Sequence, residues 1–181
     1  MNKIFWFIAT FLAVGIFLAV ILTRHKEQVT QVESFMTFES SAFLNNDFIP
    51  ADYTCDGTNK MPELSWGGIP EDTSSIAIVV DDPDALGGDW VHFLIWNIPE
   101  TVNSINETDI PPSSTMGTTS FGKSSWSGPC PPNGTHHYNF KLYALDSQLS
   151  LDSTAVKSDL VSAIEGHVLG ETSLTGLYER K

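Results

Sequence analysis

Two short stretches hold three of the chain's five histidines, two aspartates and a tyrosine: Asp82-Pro83-Asp84 leading to His92, and Gly128-Pro129-Cys130-Pro131-Pro132-Asn133-Gly134-Thr135-His136-His137-Tyr138. Imidazoles, a phenol and the backbone amides of turns are hydrogen-bond donors suited to a small anion. Asp82 would repel such a ligand unless its carboxylate accepts a hydrogen bond from an imidazole, fixing that ring's tautomer and favouring the protonated form. A His92 or His136 imidazolium then has its other N–H to offer, and anion affinity should weaken as pH rises. Plainer uses compete with this one: Asp82 and Asp84 as turn caps, Tyr138 as a packed aromatic, each histidine as a structural residue. His92, His136, Asp82 and Cys130 are all metal-ligating types, but no Cys-x-x-Cys or His-x-x-x-His spacing accompanies them, so neither metal nor cofactor is expected. The alternative activity is a hydrolase for esters or phosphoesters, with His and Asp as general base and Tyr138 as donor. It lacks a nucleophile: there is no Gly-x-Ser-x-Gly elbow, and Ser125 and Ser127 are merely near the second stretch.

Short strands divided by turn signals position these residues. Residues 75–81, 91–98 and 138–145 are β-branched or aromatic runs, separated by Pro/Gly/Asn/Asp/Ser-rich connections at 82–88, 99–106 and 111–132. That pattern predicts a mainly β, antiparallel sandwich and not a βαβ fold. Strand periodicity places His92 on a face with Leu94 and Trp96, and His136 on a face with Tyr138, Phe140 and Leu142, with His137 turned the opposite way. Pro83 biases Asp82 to an extended conformation at a strand-ending turn. One helix is predicted near 155–169, where Val156, Leu160, Ile164 and Val168 recur every four residues.

The 181 residues suit one domain preceded by a hydrophobic segment. Residues 4–22 carry no charge and are long enough as a helix, about 28 Å, to cross a bilayer. They run directly into Thr23-Arg24-His25-Lys26 without a small-x-small cleavage site, so residues 1–24 are expected to be an uncleaved anchor, with secretion after cleavage as the alternative. Residues 25–34 form a linker and 35–181 the domain, expected on the extracytoplasmic side. All 22 acidic residues but only 6 of the 9 Lys and Arg follow residue 26, so the domain is more acidic than the chain's net −13. Such a field disfavours nucleic acid and anionic membranes, and any anion must be held by local donors. The two cysteines, Cys55 and Cys130, either form one disulfide in an oxidising compartment or remain buried thiols.

The sequence also resembles the phosphatidylethanolamine-binding protein family, in particular its bacterial and archaeal Raf-kinase-inhibitor-like branch. The resemblance is carried in order by residues 49–57 (Ile-Pro-Ala-Asp-Tyr-Thr-Cys-Asp-Gly), Leu64-Ser65-Trp66, Asp82-Pro83-Asp84-Ala85, Trp96-Asn97-Ile98-Pro99, Phe121-Gly122-Lys123, the Gly128 to Tyr138 segment, residues 142–146 and Glu165-Gly166-His167. It spans about 36–181. It implies a Greek-key β-sandwich with one or two C-terminal helices and a small anion site for phosphate or a phospholipid headgroup. Carried over residue by residue, the ligand-binding residues would be Asp82, His92, His136 and Tyr138, with Pro131 and Cys130 at the rim and Asp84, His137 and Trp126 in support. It further implies a binding or regulatory module, with inhibition of a partner protease or kinase as one use. Three positions depart from the family pattern: Leu86 replaces a proline, His137 an arginine, and Trp126 a common tyrosine. The second loses a permanent charge and a bidentate donor.

Overall fold

Ser75–Asp82 is buried along its whole length, and this strand organises the domain. The computed structural model describes residues 35–181, so the expected membrane anchor at 1–24 and the linker at 25–34 lie outside the described residues. Among the described residues no helix is long and apolar enough to cross a membrane. The strands in chain order are β1 (Thr37–Ser40), β2 (Asp47–Phe48), β3 (Leu64–Gly67), β4 (Ser75–Asp82), β5 (Trp90–Ile98), β6 (Ser104–Ile105), β7 (Thr115–Met116), β8 (His136–Leu145) and β9 (Val168–Tyr178). One α-helix, α1 (Lys157–Ile164), lies between β8 and β9, and a 3-10 turn spans Ala51–Tyr53.

The strands form a six-stranded sheet, ordered β2-β9-β8-β4-β5-β7, and a three-stranded sheet, β1-β3-β6. β4 is covered on both faces, and its continuous apolar run from Ile76 to Val80 reflects that. Ile76, Ile78 and Val80 join Phe93, Ile95, Tyr138, Phe140 and Leu142 in the core between the sheets, against Phe38, Leu64 and Trp66 from the small sheet. Ala77 and Val79 face the other way, into a second core with Leu94, Trp96, Leu145, Leu160 and Ile164 beneath α1. The result is three layers: small sheet, large sheet, helix.

The expected all-antiparallel pairing has one exception, since the two-residue β2 runs parallel to β9. The helix is also shorter than its four-residue spacing predicted. Asp159 caps its start by accepting the Val156 N–H at 2.9 Å, and Gly166, in the left-handed conformation at φ 79°, stops it. Val168, expected as its last apolar contact, instead begins the eleven-residue β9, so the helix is not the C-terminal element. β9 pairs with β8 along its length, from His136 opposite Tyr178 to Leu145 opposite Val168.

β4 runs antiparallel to both its neighbours, so its last residues lie between the first residues of β5 and β8. The topology therefore brings the two sequence stretches to one end of the large sheet. Among the described residues, Cys55 and Cys130 are joined by a disulfide with 5.4 Å between their Cα atoms. It ties the 3-10 turn region to the loop ahead of β8, and both cysteines are exposed and not buried.

Candidate functional site

His136 and Tyr138 enter the site by simple alternation: β8 reads buried at 136, 138, 140 and 142 and more open between. His92 does not. Val80 pairs with Phe93 and Asp81 with Val91, leaving His92 as an extra, unpaired residue in β5. This bulge breaks the two-residue period and turns His92 away from the Leu94 and Trp96 face expected of it, toward Tyr138. The two rings meet edge to face with 5.2 Å between centroids. The bulge also frees the backbone. The Ser127 N–H donates to the His92 carbonyl at 3.1 Å, and His92 Nδ1 donates to the Ser127 carbonyl at 2.6 Å.

The loop carrying Ser127 is fixed from behind. Gly128 N–H donates to Asn59 Oδ1 at 2.8 Å, and a Cβ on Gly128 would sit 2.3 Å from the Tyr53 carbonyl oxygen, so only glycine permits this approach. Cys55 N–H donates to the Pro129 carbonyl at 3.0 Å beside the disulfide. Trp126 lies under the loop, stacked on Phe140 and edge-on to Phe93. Pro131 is buried while Cys130 is exposed.

Asp82, only 3% exposed, uses both carboxylate oxygens. Oδ2 accepts from His136 Nδ1 at 2.7 Å, and Oδ1 accepts from the Asp84 N–H at 2.9 Å. Both oxygens are engaged, so Asp82 positions His136 more than it meets a ligand. A parallel pair lies outside: Asp84 Oδ2 accepts from both the backbone N–H and Nδ1 of His137, at 2.8 and 2.7 Å. As expected from alternation, His137 points away from the inner face and is exposed. The hydrogen bonds from His137 hold the Asp84 carboxyl below the usual carboxylate range.

These partners set the tautomers. A carbonyl and a carboxylate can only accept, so His92 and His136 both carry hydrogen on Nδ1, and each neutral ring presents a lone pair at Nε2. Among the described residues neither Nε2 has a hydrogen-bond partner. Burial pushes the His92 pKa below its ordinary value, against the opposing pull of the Ser127 carbonyl and the Asp82 charge. Tyr138 is fully buried, and among the described residues its hydroxyl, which faces the Asp82 carboxylate and the Cys130 backbone N–H, makes no hydrogen bond of good geometry. Burial, then the neighbouring Asp82 charge, raises its pKa, so the phenol keeps its proton and remains a donor.

The residues read from the sequence thus divide. His92, His136, Asp82 and Tyr138 come together on the inner face; Trp126 and Pro131 support the loop; Asp84 and His137 form an outer pair; Cys130 serves through its disulfide. No group of three or more metal-ligating side chains forms among the described residues. Two contributors escaped the sequence reading. Ser127 acts through its carbonyl, which no side-chain pattern reveals. Phe121 packs its ring on His92 at 5.4 Å, and its Phe121-Gly122-Lys123 motif drew notice only through the family resemblance.

Fold and site together define a β-sandwich domain with a buried polar cluster where three strand ends meet. Within that class, the chain belongs to the phosphatidylethanolamine-binding protein family, whose description matches residues 39–179. It is 45% identical over 150 residues to a UPF0098 protein of Methanothermobacter thermautotrophicus, covering 80% of this chain and 99% of that one. A UPF0098 protein of Pyrococcus horikoshii is also 45% identical, over 78% of this chain and 76% of its own. Among solved structures it is similar to a phosphatidylethanolamine-binding protein homologue of Chlamydia trachomatis, at TM-score 0.78 and 31% identity, covering 82% of this chain and 99% of that one. YbcL of E. coli, described as a member of the mammalian family, matches at TM-score 0.76 and 30% identity over 81% of this chain and 99% of its own.

Proposed function

We propose that the domain is a binding module whose inner site takes a small phosphate-like anion, free or as the headgroup of a larger molecule. The observation that carries this is the Tyr138 hydroxyl, a fully buried donor that makes no well-formed hydrogen bond among the described residues although Asp82 and the Cys130 N–H lie near it. Leaving such a group unpaired costs about 1–3 kcal/mol, which a ligand oxygen would recover. Beside it stand two imidazoles whose Nδ1 atoms are already committed, so each has one atom left for a ligand.

That atom is a lone pair in the neutral ring. An anion oxygen therefore needs one extra proton, either on the imidazole or on the ligand itself as a protonated phosphate. In both cases affinity is present at low pH and lost as pH rises. The His92 contribution fades at a lower pH than for an unperturbed histidine, because burial depresses its pKa. Binding is favoured over hydrolysis by the pairing: His92 bonds the Ser127 carbonyl and not its hydroxyl, so no nucleophile is joined to a base there. The disulfide suits an oxidising compartment, which favours work outside the cytoplasm.

Calorimetric titration with inorganic phosphate from about pH 5.5 to about pH 8.5 tests the reading. Affinity should fall steadily across that range and be lost in Tyr138→Phe combined with His136→Ala. Affinity that is flat or rises with pH would refute the proton requirement.

A further inference from the structure

Four aromatic rings lead from solvent to the buried hydroxyl. Trp90 and Phe121, 38% and 44% exposed, meet edge to face at 5.5 Å. Phe121 meets His92 at 5.4 Å, and His92 meets Tyr138 at 5.2 Å. Exposure drops along this series to 3% at His92 and 0% at Tyr138. Phe121 is thus a half-exposed ring packed directly against the buried His92.

The segment bearing it is built as a closed turn whose tip is free. Thr119 N–H and Oγ1 both donate to the Lys123 carbonyl, at 3.0 and 2.8 Å, closing the base. Phe121 N–H donates to Thr119 Oγ1 and Gly122 N–H to the Thr119 carbonyl, so the backbone bonds are satisfied within the turn. Gly122 is left-handed at φ 71° and open space surrounds the position of its absent Cβ. Among the described residues Ser120 makes the turn's hydrogen bonds to β5, donating its N–H to the Val91 carbonyl and accepting the Val91 N–H on its Oγ. The Phe121 side chain itself is held by ring contacts with His92 and Trp90. Edge-to-face pairs of this kind add about 0.5–1.5 kcal/mol each to the area they bury, and the ring already gives nearly half its surface to solvent.

We propose that Phe121 is the gate of this site, its ring closing over His92 at rest and swinging out on the 119–123 turn to admit a ligand to His92 Nε2 and the Tyr138 hydroxyl. The gate regulates the same site proposed above, but its test reads access to His92 and needs no ligand. The charged groups acting on His92 are the carboxylates of Asp82 and Asp81, neither of which Phe121 carries or displaces. Removing the ring therefore changes solvent access without removing a charge.

Diethylpyrocarbonate acylates the free nitrogen of a neutral imidazole, and peptide mapping reads the rate at each histidine, with exposed His167 as internal reference. Relative to His167, His92 should react slowly in the wild type and about tenfold faster in Phe121→Ala, because modification no longer waits on a local opening. Phe121→Leu should fall between, and Phe121→Trp should be slower than wild type. Opposite shifts in the Ala and Trp variants cannot come from a general loss of folding. Equal His92 rates across the series, or a wild-type His92 as reactive as His167, would overturn the gate. Titrating inorganic phosphate into the same variants separates the two proposals: an ordered rate series without phosphate binding sinks the anion reading alone, and phosphate binding with a flat rate series sinks the gate alone.

Discussion

Asp81 and Asp82 are consecutive residues at the end of β4, 1% and 3% exposed, and their side chains leave the sheet on opposite faces. Asp81 points toward the helical layer and accepts from Lys141 at 2.9 Å and Lys157 at 2.6 Å. Lys157 also bonds Asp89. Burial alone would disfavour the Lys157 ammonium, but the two carboxylates hold its pKa above the ordinary lysine range. The cluster pins the first residue of α1 to the sheet and to the segment ahead of β5. Asp82 points into the sandwich, where its partners are an imidazole and a backbone N–H. The imidazole's second nitrogen is unspent among the described residues. A buried carboxylate matched by fixed cations is a structural pin, whereas one matched by a histidine leaves a conditional donor.

The same substitution at both positions tests this contrast. Asp81→Asn leaves two ammonium groups facing a neutral amide and should cost about 3 kcal/mol, the range for breaking a buried ion pair. Asp82→Asn keeps an acceptor for His136 and should cost about 1 kcal/mol, the worth of one hydrogen bond. Phosphate affinity should reverse the order: unchanged in Asp81→Asn, but lower by about tenfold in Asp82→Asn, because a neutral amide orients His136 less firmly than a carboxylate does. Urea unfolding with phosphate titration of each variant checks both halves. Equal stability losses with equal affinities would erase the distinction between pin and donor.

The inner wall of the site was legible in the sequence where the two-residue period runs unbroken. From His136 to Leu142 the alternation names the correct face. It fails at His92 because the bulge adds one residue to β5, and nothing in Trp90-Val91-His92-Phe93 announces it. The β4 run marks a buried strand, but the split of Asp81 from Asp82 is recognisable only once the helical layer is known to bring Lys157. Four-residue spacing carried the predicted helix past Ile164 to Val168, although Gly166 was a visible stop signal. The β2–β9 pair joins residues more than a hundred positions apart, and two-residue strands have no pattern of their own. Motif order located the site, while the Ser127 carbonyl and the Phe121 ring act through position and not through residue chemistry.

A smaller effect comes from the buried Tyr138 hydroxyl. Tyr138→Phe removes a buried group that makes no well-formed hydrogen bond and leaves the ring packing intact, so the free protein should gain about 1 kcal/mol. Phosphate affinity should drop by a similar amount, roughly fivefold. Stability and binding thus move in opposite directions, unlike any change expected at the Asp81 cluster. Thermal unfolding with and without phosphate reads both at once. A destabilised Tyr138→Phe would mean that the hydroxyl is already bonded inside the protein, and the main support for the anion site would be gone.

The smallest effect belongs to the outer pair, which repeats the Asp82–His136 arrangement in solvent. The hydrogen bonds from His137 depress the Asp84 pKa. A carboxylate lowered on folding adds stability above its unfolded value, about pH 4, and loses it as pH falls through the lower folded value. Because the pair is exposed, His137→Ala should cost only about 0.5 kcal/mol near pH 6, with the difference from wild type shrinking toward pH 3. His137→Arg, which puts a permanent cation beside Asp84, should keep the pair charged well above neutral pH. Urea unfolding across that pH series distinguishes the three proteins. If His137→Ala proves as costly as Asp81→Asn, solvent does not screen the outer pair, and burial cannot be what separates the pin from the surface pair.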